Sequence, residues 1–355
     1  MMTSASKNAN DSVLARYSRQ ILYENVGVEG QRCLLEARVL LVGCGALGTV
    51  LANTLVRAGV GFLRICDRDY IERDNLQRQI LFDEDDIAAN LPKAEAGAAK
   101  LRRINPQVTV EAVVADVNAA NIEPLAQGAS LLLDGTDNFE TRYLINDLAV
   151  KTGRPWVYGA VIGGTGLCMT IVPGDTPCLR CVFEEAPPPE FNPTCDTAGV
   201  LGAAVNLVAS LQSIEAMKLL MGKADQINRR LVSIDAWSGR VTHLNVQSAR
   251  DGGNCICCKQ RRFEYLSGER GSTTLTLCGR NAVQISGRAS ESVNLEVIAG
   301  KLSPGLTESL QVNRFMLRAR IGEYELTLFP DGRAIIKGTD DPDRGKTLYA
   351  KYLGA

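Results

Sequence analysis

The sequence is poor in histidine and in aromatic residues. Its 355 residues include one histidine, His243, and 5% phenylalanine, tryptophan and tyrosine together. A single imidazole excludes multi-histidine metal sites and most catalysis that depends on a serine–histidine or cysteine–histidine pair. Chemistry carried by this chain is therefore expected to rely on fixed charges or on thiols.

The chain also lacks an excess of charge and an uninterrupted apolar span. Lysine and arginine total 39 against 40 acidic residues, so no basic field for a nucleic acid backbone is expected. The apolar stretch 200–221 is interrupted by Gln212, Glu215 and Lys218, which predicts a buried or interfacial helix rather than a membrane span. Residues 1–12 are polar and show no signal-peptide pattern. We expect a cytoplasmic protein whose partners are neither membranes nor nucleic acids.

What the sequence does contain is typical of a soluble globular protein, with 45% hydrophobic and 22% charged residues. The apolar run Arg38–Val42 has the length of a buried strand, and a glycine turn follows it directly. A helical pattern then extends to Arg57, where Gly59 is placed to end it, and Phe62 to Cys66 predict the next strand. This order indicates a βαβ unit of a parallel sheet.

The alternation of strands and helices continues, which predicts an α/β fold with a Rossmann-like, mostly parallel sheet and helices on both faces. From about Phe263 the pattern changes to short strands, one of them at Val312–Ile321, and predicts a small C-terminal α+β domain. We therefore expect two domains, 1–262 and 263–355. The proline-rich segment 184–193 is expected to form an extended loop.

A glycine-rich turn, Gly43-Cys44-Gly45-Ala46-Leu47-Gly48, separates the first strand from its helix. Such turns let the backbone approach a phosphate and aim helix N–H groups at it, and their commonest meaning is a dinucleotide site. Asp67, about 20 residues downstream, suits a ribose hydroxyl of either NAD or ATP. The polar segment that follows, with Asn75 and Arg78, favours a triphosphate, whose extra charge needs extra cations. An NAD-binding oxidoreductase is the alternative.

These motifs belong to an ordered set. Asn75-Leu76-Gln77-Arg78-Gln79 follows the glycine turn and Asp67, and Lys93, Asp134-Gly135-Thr136-Asp137-Asn138 and two Cys-x-x-Cys pairs come after it. Together with Arg16-Tyr17-Ser18-Arg19-Gln20-Ile21, this set resembles the ThiF/MoeB/HesA family over roughly Arg16 to Lys259. Members of that family are bacterial relatives of ubiquitin-activating enzymes, and they adenylate the C-terminal glycine of a small ubiquitin-like sulfur-carrier protein.

The resemblance implies that these residues bind ATP and Mg²⁺. It places Arg78 and Lys93 at the phosphates, Asp137 at the magnesium ion and Asp67 at the ribose. In the family's homodimer, the arginine that matches Arg19 reaches the nucleotide of the partner subunit. The resemblance implies a further set of nucleotide-binding residues, namely Gly43, Gly45, Ala46, Gly48, Asn75, Leu76, Gln77 and Asn138. At Ala46 relatives often have glycine, and the small alanine side chain is expected to leave binding intact.

Each of these residues has a plainer interpretation when it is taken alone. A lysine or arginine at a helix start is usually a solvated charge, and Asp137-Asn138 fit a helix N-cap. The ordered set favours the functional interpretation. A carboxylate that attacks the α-phosphate of ATP is already ionised, so this reaction needs fixed cations rather than a general base. A nucleotide-binding scaffold without turnover is a further alternative, against which intact Arg78, Lys93 and Asp137 argue.

Two Cys-x-x-Cys pairs stand out among the 11 cysteines. Cys178 and Cys181 form one pair, and Cys255 and Cys258 form the other, with Cys257 as a spare thiol. Four thiolates predict a closed tetrahedral zinc site that staples the fold. The alternative is a thioredoxin-like redox motif, but neither pair is predicted to follow a strand at a helix N-terminus. The cysteines in apolar or glycine-rich contexts are expected to fill the core: Cys33, Cys44, Cys66, Cys168 and Cys278.

Cys195 lies at the end of the proline-rich segment, just before the apolar helix. A helix N-terminus stabilises a thiolate, which favours a nucleophilic role. The resemblance associates this cysteine with thioester or acyl-disulfide chemistry in some relatives. The alternative is a small helix-start residue without a chemical role, because adenylation itself needs no thiol. The sequence leaves both interpretations open.

The pathway is less defined than the reaction. Activating enzymes of this kind serve thiamine thiazole and molybdopterin synthesis, and the nucleotide motifs do not separate the two. The segments 277–285 and 331–339 resemble the C-terminal extension of some thiazole-biosynthesis adenylyltransferases. No rhodanese-like active-site loop is found there. We therefore expect a separate sulfur donor, either a cysteine desulfurase or a rhodanese-like protein.

Overall fold

The computed structural model describes residues 13–185, 195–270, 274–277, 281–285, 293–302 and 308–353. This part of the chain divides into two compact units. The first unit holds the described residues up to Glu269 apart from 195–199, and the second holds that short segment together with the described residues from Arg270 onward. The predicted loop at 184–193 lies outside the described residues from position 186 on.

Strands and helices alternate along the first unit. The strands of the chain are β1 Arg38–Val42, β2 Phe62–Asp67, β3 Thr109–Val114, β4 Leu131–Asp134, β5 Trp156–Ile162, β6 Thr165–Ile171, β7 Leu231–Asp235, β8 Arg240–Leu244, β9 Thr274–Leu277, β10 Ala282–Ile285, β11 Ser309–Val312, β12 Leu317–Ile321, β13 Tyr324–Leu328 and β14 Ala334–Lys337. The helices are α1 Ser18–Ile21, α2 Gly27–Glu36, α3 Ala46–Ala58, α4 Glu84–Ala88, α5 Lys93–Ile104, α6 Ile122–Leu125, α7 Phe139–Thr152, α8 Leu179–Val182, α9 Cys195–Ala198, α10 Gly202–Leu220, α11 Gln247–Asp251, α12 Leu295–Lys301 and α13 Pro342–Leu353.

The first unit is built on an eight-stranded sheet with the order β3-β2-β1-β4-β5-β6-β7-β8. Neighbouring strands from β3 to β5 are parallel, and those from β5 to β8 are antiparallel. The parallel part has the strand order of a nucleotide-binding Rossmann sheet, in which the direction of winding changes between β1 and β4. The predicted Rossmann-like α/β fold is confirmed, and β6 to β8 extend it with antiparallel strands.

The central strand β1 is buried on both faces because its side chains alternate between two cores. Val39 and Leu41 pack in a core that α3, α5 and α10 help to form. Leu40 and Val42 pack in the opposite core, to which α7 and α8 contribute. Helices therefore cover both faces of the sheet, as predicted, and this explains why β1 reads as a continuous apolar run.

The first βαβ unit begins and ends where the sequence predicts. α3 starts after Gly45 and stops before Gly59, which adopts the left-handed conformation (φ 86°) that glycine tolerates best. Val42 is paired in register with both Cys66 of β2 and Asp134 of β4. Consequently, the loops that follow β1, β2 and β4 leave the sheet at the same edge.

The second unit contains a six-stranded sheet with the order β11-β12-β13-β14-β10-β9, and all of its strand pairs are antiparallel. It has an apolar core of its own, and the predicted small α+β fold is confirmed. The single strand predicted over Val312–Ile321 is wrong. β11 and β12 are separate because the Asn313 side chain accepts hydrogen bonds from the backbone N–H groups of Phe315 and Met316 and so forms a turn.

None of the helices in the described part of the chain is long and apolar enough to cross a membrane. The apolar stretch from residue 200 forms α10, in which Gln212 and Glu215 are buried. Gln212 donates hydrogen bonds to the carbonyl oxygens of Asp134 (2.9 Å) and Val157 (3.3 Å). The polar residue that interrupts the apolar run is therefore part of the core.

Candidate active site

The glycine turn holds the end of β1 close to the loop that follows β4. Gly43 has a φ of 92°, and a Cβ atom there would lie 2.5 Å from the carbonyl oxygen of Gly135. A Cβ atom on Gly48 would lie 2.0 Å from the carbonyl oxygen of Gly43. Only glycine permits these approaches, which bring the N-terminus of α3 to the sheet edge. The first N–H groups of a helix have no partner within it, so this end of α3 suits an anion such as a phosphate.

Asp67, the last residue of β2, contacts the glycine turn. Its carboxylate accepts hydrogen bonds from the backbone N–H groups of Cys44 (2.6 Å) and Asp69 (2.7 Å). Burial raises the pKa of Asp67, and the ammonium group of Lys93 acts in the opposite direction. Asp67, the residue expected to bind the ribose, therefore lies at the glycine turn. It is also close enough to Lys93, which is expected to bind the phosphates, for their charges to interact.

Lys93 is the first residue of α5, and it is not a solvated charge. Its side chain is 4% exposed, and Nζ lies 3.3 Å from Oδ2 of Asp69. The backbone N–H of Lys93 also donates to the carbonyl oxygen of Asp69 (2.9 Å). Both ends of the lysine are therefore tied to the loop after β2, and the plainer interpretation of this residue is wrong.

Asn75 and Arg78 are buried as well, at 2% and 8% exposure. Asn75 ends a short 3₁₀ helix, where its Oδ1 accepts a hydrogen bond from the backbone N–H of Glu72 (3.2 Å). Arg78 donates from Nη1 to the carbonyl oxygen of Asp74 (2.7 Å). Among the described residues, no carboxylate forms an ion pair with Arg78. Its buried charge is therefore available to an anionic ligand.

The loop after β4 is fixed by a buried ion pair. Nε of Arg142 donates to Oδ2 of Asp134 over 3.0 Å. The other carboxylate oxygen of Asp134 accepts from the N–H (2.9 Å) and the hydroxyl (2.7 Å) of Thr136. Arg142 also donates to the carbonyl oxygens of Thr136 (2.7 Å) and Gly159 (3.1 Å). These contacts hold the backbone that leads to Asp137.

Asp137 and Asn138 precede α7 and differ in their surroundings. Asn138 is the N-cap of α7, and its Oδ1 accepts from the backbone N–H of Glu140 (2.8 Å). The Asp137 side chain is exposed, and no hydrogen bond or ion pair joins it to another residue in the described part of the chain. Its carboxylate is therefore available to a cation at the same sheet edge as the glycine turn.

The other predicted nucleotide-binding residues are more accessible. Ala46 and Leu76 are half-buried, and Gln77 is exposed. Arg19 is exposed on α1, and within the described ranges no hydrogen bond or ion pair joins it to the residues above. The neighbouring Tyr17 is 3% exposed, so the segment that carries Arg19 is anchored in the first unit.

Four cysteine sulfurs meet in the core to which α7 and α8 contribute. The Sγ atoms of Cys178, Cys181, Cys255 and Cys258 all lie within 4.8 Å of one another. The Cys178–Cys181, Cys178–Cys255 and Cys181–Cys258 distances are 3.7, 3.6 and 3.4 Å. A disulfide needs about 2.0 Å, whereas a tetrahedral zinc ion with bonds of about 2.3 Å places its sulfurs about 3.8 Å apart. The donor set and its spacing fit a four-thiolate metal site.

The other cysteine predictions have mixed outcomes. Cys178 is the N-cap of the four-residue α8, which comes after β6 in the chain, so the prediction that neither pair follows a strand at a helix N-terminus is wrong for the first pair. Cys44, Cys66 and Cys168 are buried as expected, and burial raises the pKa of Cys66 to about 12. Cys33 is exposed, and its assignment to the core is wrong because it lies on the outer face of α2.

Comparison with known proteins identifies the family. The model of the ThiF family matches residues 17–258 of this chain. The chain belongs to the ThiF family. The sulfur carrier protein ThiS adenylyltransferase of Bacillus subtilis (strain 168) is 44% identical over 339 residues, which cover 96% of this chain and 99% of that protein. The SAMP-activating enzyme E1 of Haloferax volcanii is 45% identical over 223 residues, which cover 63% of this chain and 82% of the relative.

A solved structure shows the same fold. The crystal structure of E. coli MccB with ATP aligns with this ThiF-family chain at a TM-score of 0.57 and 23% sequence identity. The alignment covers 65% of this chain and 72% of that one. The resemblance inferred from the ordered motifs is thus confirmed at the level of family and fold.

Two predicted positions of the ThiF-family chain lie partly or wholly outside the described structure. Cys195 begins α9, but its side chain lies outside the described part of the structure. Cys278 also lies outside it. The long apolar helix begins at Gly202, so Cys195 belongs to a separate four-residue helix. Its two interpretations stay predictions.

Sequence reasoning missed the buried network behind Asp137. Asp134 was part of a motif without a role of its own, and Arg142 and Gln212 had none. Buried polar groups form hydrogen bonds, and this rule could have identified the network from the sequence. Asp134 ends an apolar strand, Arg142 follows it by about two helical turns, and Gln212 interrupts an apolar helix. Polar residues at these three positions, where burial is expected, predict hydrogen bonds between their side chains or to backbone carbonyl groups near the strand ends.

Proposed function

We propose that this chain uses ATP to adenylate the C-terminal carboxylate of a small ubiquitin-like sulfur-carrier protein, with release of pyrophosphate. The observation that carries the proposal is the pair of buried cations, Lys93 and Arg78, at the edge of the sheet that bears the glycine turn. Gln79, next to Arg78, reaches within 4.0 Å of the place where a Cβ atom on Gly45 would lie. The names of the two relatives, an adenylyltransferase and an activating enzyme, support the same reaction.

The chemistry explains why cations are needed. The carrier carboxylate attacks the α-phosphate, the bond to the bridging oxygen breaks, and pyrophosphate leaves with the negative charge. Fixed cations at Lys93 and Arg78 stabilise that charge where it develops. The attacking carboxylate is already ionised, so no general base is required. The single histidine, His243, accordingly lies on β8, the outermost strand of the sheet.

Asp137 fits a magnesium ion. Proteins usually hold Mg²⁺ through one or two carboxylates together with the phosphates of the substrate. The Asp137 carboxylate is exposed at the sheet edge, and the buried Asp134–Arg142 pair fixes the preceding residue, Thr136. A bound Mg²⁺ ion would offset phosphate charge there. We assign the ribose to Asp67 and further nucleotide contacts to the residues named from the motifs: Gly43, Gly45, Ala46, Gly48, Asn75, Leu76, Gln77 and Asn138.

We propose zinc as the metal of the four-cysteine site. Cys178, Cys181, Cys255 and Cys258 supply four ligands, so a tetrahedral ion has no open position for a substrate. The metal would connect segments that lie 77 residues apart in the sequence. Its role is therefore structural, and the redox alternative, which needs only one pair, does not explain why two pairs meet.

The proposed carrier is of the ThiS type, and the proposed pathway is thiamine thiazole synthesis. The match to the ThiS adenylyltransferase covers 96% of this chain and so extends well beyond residue 258, where the family match ends. The archaeal relative matches 63% of the chain. A carrier of the molybdopterin pathway is the alternative. In either case the sulfur comes from a separate cysteine desulfurase or rhodanese-like protein.

Three further assignments accompany the proposal. The first is a homodimer in which Arg19 reaches the nucleotide of the partner subunit, a role that suits its exposed position on an anchored segment. The second is a cytoplasmic location. The third is a division of labour in which 1–262 is the adenylyltransferase domain and 263–355 is the small C-terminal domain.

The test is ATP–pyrophosphate exchange with the purified chain and a purified ThiS-type carrier. We expect label to enter ATP only when Mg²⁺ and a carrier with an intact C-terminal glycine are both present. A carrier that lacks this glycine is the matched control. Faster exchange with a molybdopterin-pathway carrier would reassign the pathway. Absence of exchange with either carrier, or turnover that depends on a nicotinamide cofactor, would contradict the proposed reaction.

A further inference from the structure

One buried side chain contacts both of the Cys-x-x-Cys segments. Cys178 and Cys255 are 77 residues apart in the sequence, and their sulfurs lie 3.6 Å apart in space. Asn146, in the second half of α7, is fully buried. Something must bring the two pairs into register, since the sulfurs of distant segments do not meet at ligand spacing through local structure alone.

The amide of Asn146 makes one hydrogen bond to a residue inside each Cys-x-x-Cys segment. Its Oδ1 accepts from the backbone N–H of Leu179 (2.8 Å), the residue after Cys178. Its Nδ2 donates to Sγ of Cys257 (3.3 Å), the residue before Cys258. A backbone N–H can only donate, so it fixes the oxygen side of the amide, and the nitrogen side then faces the sulfur. One planar group therefore joins the interiors of both Cys-x-x-Cys segments.

Neighbouring residues of α7 support the same contact surface. Oδ2 of Asp147 accepts from the backbone N–H of Tyr265 (2.9 Å), which follows the second pair. The hydroxyl of Tyr143 donates to the carbonyl oxygen of Phe183 (3.1 Å), which follows the first pair. α7 thus holds the chain beyond each pair, and Asn146 contacts the interior of both.

We propose that Asn146 is a positioning residue for the four-cysteine metal centre. It holds the two Cys-x-x-Cys segments at the separation that the four sulfurs need, and it acts through Leu179 and Cys257 rather than as a ligand. Loss of such an outer contact typically lowers metal affinity by about 10–100-fold. The inference rests on the metal site of the proposed function and is independent of the adenylation reaction.

The test compares Asn146→Ala with Asn105→Ala in the whole chain. Asn105 is an equally buried asparagine of the first unit, and its side chain donates to the Tyr17 hydroxyl and the Val56 carbonyl oxygen instead. Zinc affinity is measured by competition with a coloured chelator, well below the melting temperature of each variant. We expect Asn146→Ala to bind zinc about 10–100-fold more weakly. Asn105→Ala should keep wild-type affinity although its melting temperature falls.

A second variant keeps the test decisive if Asn146→Ala does not fold. Cys257→Ala removes the sulfur that accepts from Nδ2 and leaves Asn146 and all four ligands in place. We expect weaker zinc binding and altered visible absorption of the Co²⁺-substituted protein, because the thiolates are no longer held in register. Wild-type affinity and absorption in Cys257→Ala, or an equal loss of affinity in Asn105→Ala, would overturn the inference. A wild-type protein that binds no zinc would contradict the proposed metal site itself, and the inference with it.

Discussion

Nε of Arg142 lies 3.0 Å from Oδ2 of Asp134, and the two side chains are 6% and 0% exposed. This pair joins the first turns of α7 to the end of β4. Burial raises the pKa of Asp134, and the guanidinium group of Arg142 acts in the opposite direction. Removing one member leaves a buried charge without its partner. The resulting loss of folding free energy is larger than the net stabilisation that the intact pair provides.

Arg142→Ala is expected to lower the free energy of unfolding by about 3–5 kcal/mol for that reason. Lys151→Ala, on the same helix, is the control. Lys151 and Glu123 form a shorter pair (2.7 Å), but their side chains are 47% and 48% exposed, and an exposed pair contributes at most about 1 kcal/mol. Denaturant unfolding of both variants measures the difference. Equal decreases in the free energy of unfolding would show that burial does not determine the effect of removing one partner of an ion pair.

Lys93→Ala and Arg78→Ala should each reduce carrier-dependent pyrophosphate exchange by about 10²–10³-fold while the protein stays folded. Each variant removes a fixed cation from the proposed path of the leaving group. Arg73→Ala is the matched control, since Arg73 lies in the same segment but is 80% exposed and pairs with Glu84. Exchange near the wild-type rate in both Lys93→Ala and Arg78→Ala would remove these residues from the mechanism. A fall in ATP affinity alone would place them in ground-state binding.

The purified chain should contain about one zinc ion, because four thiolates form a single closed site. Cys255→Ser should lose the metal and lower the melting temperature, since the site ties distant segments together. Cys33→Ser is the control, because Cys33 is exposed on α2 and remote from the cluster in sequence. Metal analysis of protein prepared without chelators checks the stoichiometry. A zinc-free chain with wild-type stability would contradict the structural role.

The free thiols should differ sharply in reactivity. Burial raises the pKa of Cys66 to about 12 and raises the pKa values of Cys44 and Cys168 as well. The thiolate is the reactive form, so alkylation near pH 8 should spare these three and modify the exposed Cys33. Mass spectrometry of the labelled peptides gives the extent at each position. Complete labelling of Cys44 in the folded protein would show that the glycine turn opens to solvent.

Cys195→Ser should keep pyrophosphate exchange and lose thiocarboxylate formation if its thiol attacks the acyl-adenylate. Exchange needs only the carboxylate, ATP and magnesium, whereas sulfur transfer needs a further nucleophile. That nucleophile is either Cys195, which would displace AMP and form a thioester that the donor persulfide then attacks, or the donor persulfide itself, which would displace AMP directly. In both routes an added thiol reduces the resulting acyl disulfide to the thiocarboxylate. Mass spectrometry of the carrier after incubation with the donor distinguishes the two. A full yield of thiocarboxylate would leave Cys195 without a chemical role.

The bounds of the first βαβ unit could be predicted because they depend on residues that are adjacent in sequence. The run Arg38–Val42, the glycine turn after it and the stop at Gly59 are local signals, and the structure confirms them. The strand predicted over Val312–Ile321 failed for a related reason. The β-forming residues of this segment predict one continuous strand, but the Asn313 side chain stabilises a turn that divides it.

The site could be predicted as a set of motifs but not as a set of contacts. Family resemblance selects Lys93, and only the fold shows that Asp69 holds it with 4% of its side chain exposed. The Arg142–Asp134 pair and the Asn146 bridge join residues that are brought together by the packing of α7 on the sheet and on α8. No local pattern encodes those distances, so they appear only when the core is assembled.

α7 begins beside Asp137 and carries Asn146 about 12 Å further along its axis than its N-cap. One end of this helix therefore lies next to the proposed magnesium ligand, and its other half contacts both Cys-x-x-Cys segments. Over evolutionary time the two regions are not free to change separately. A substitution that shifts the axis of α7 would therefore disturb the loop of Asp137 and the contacts between the two cysteine pairs at the same time.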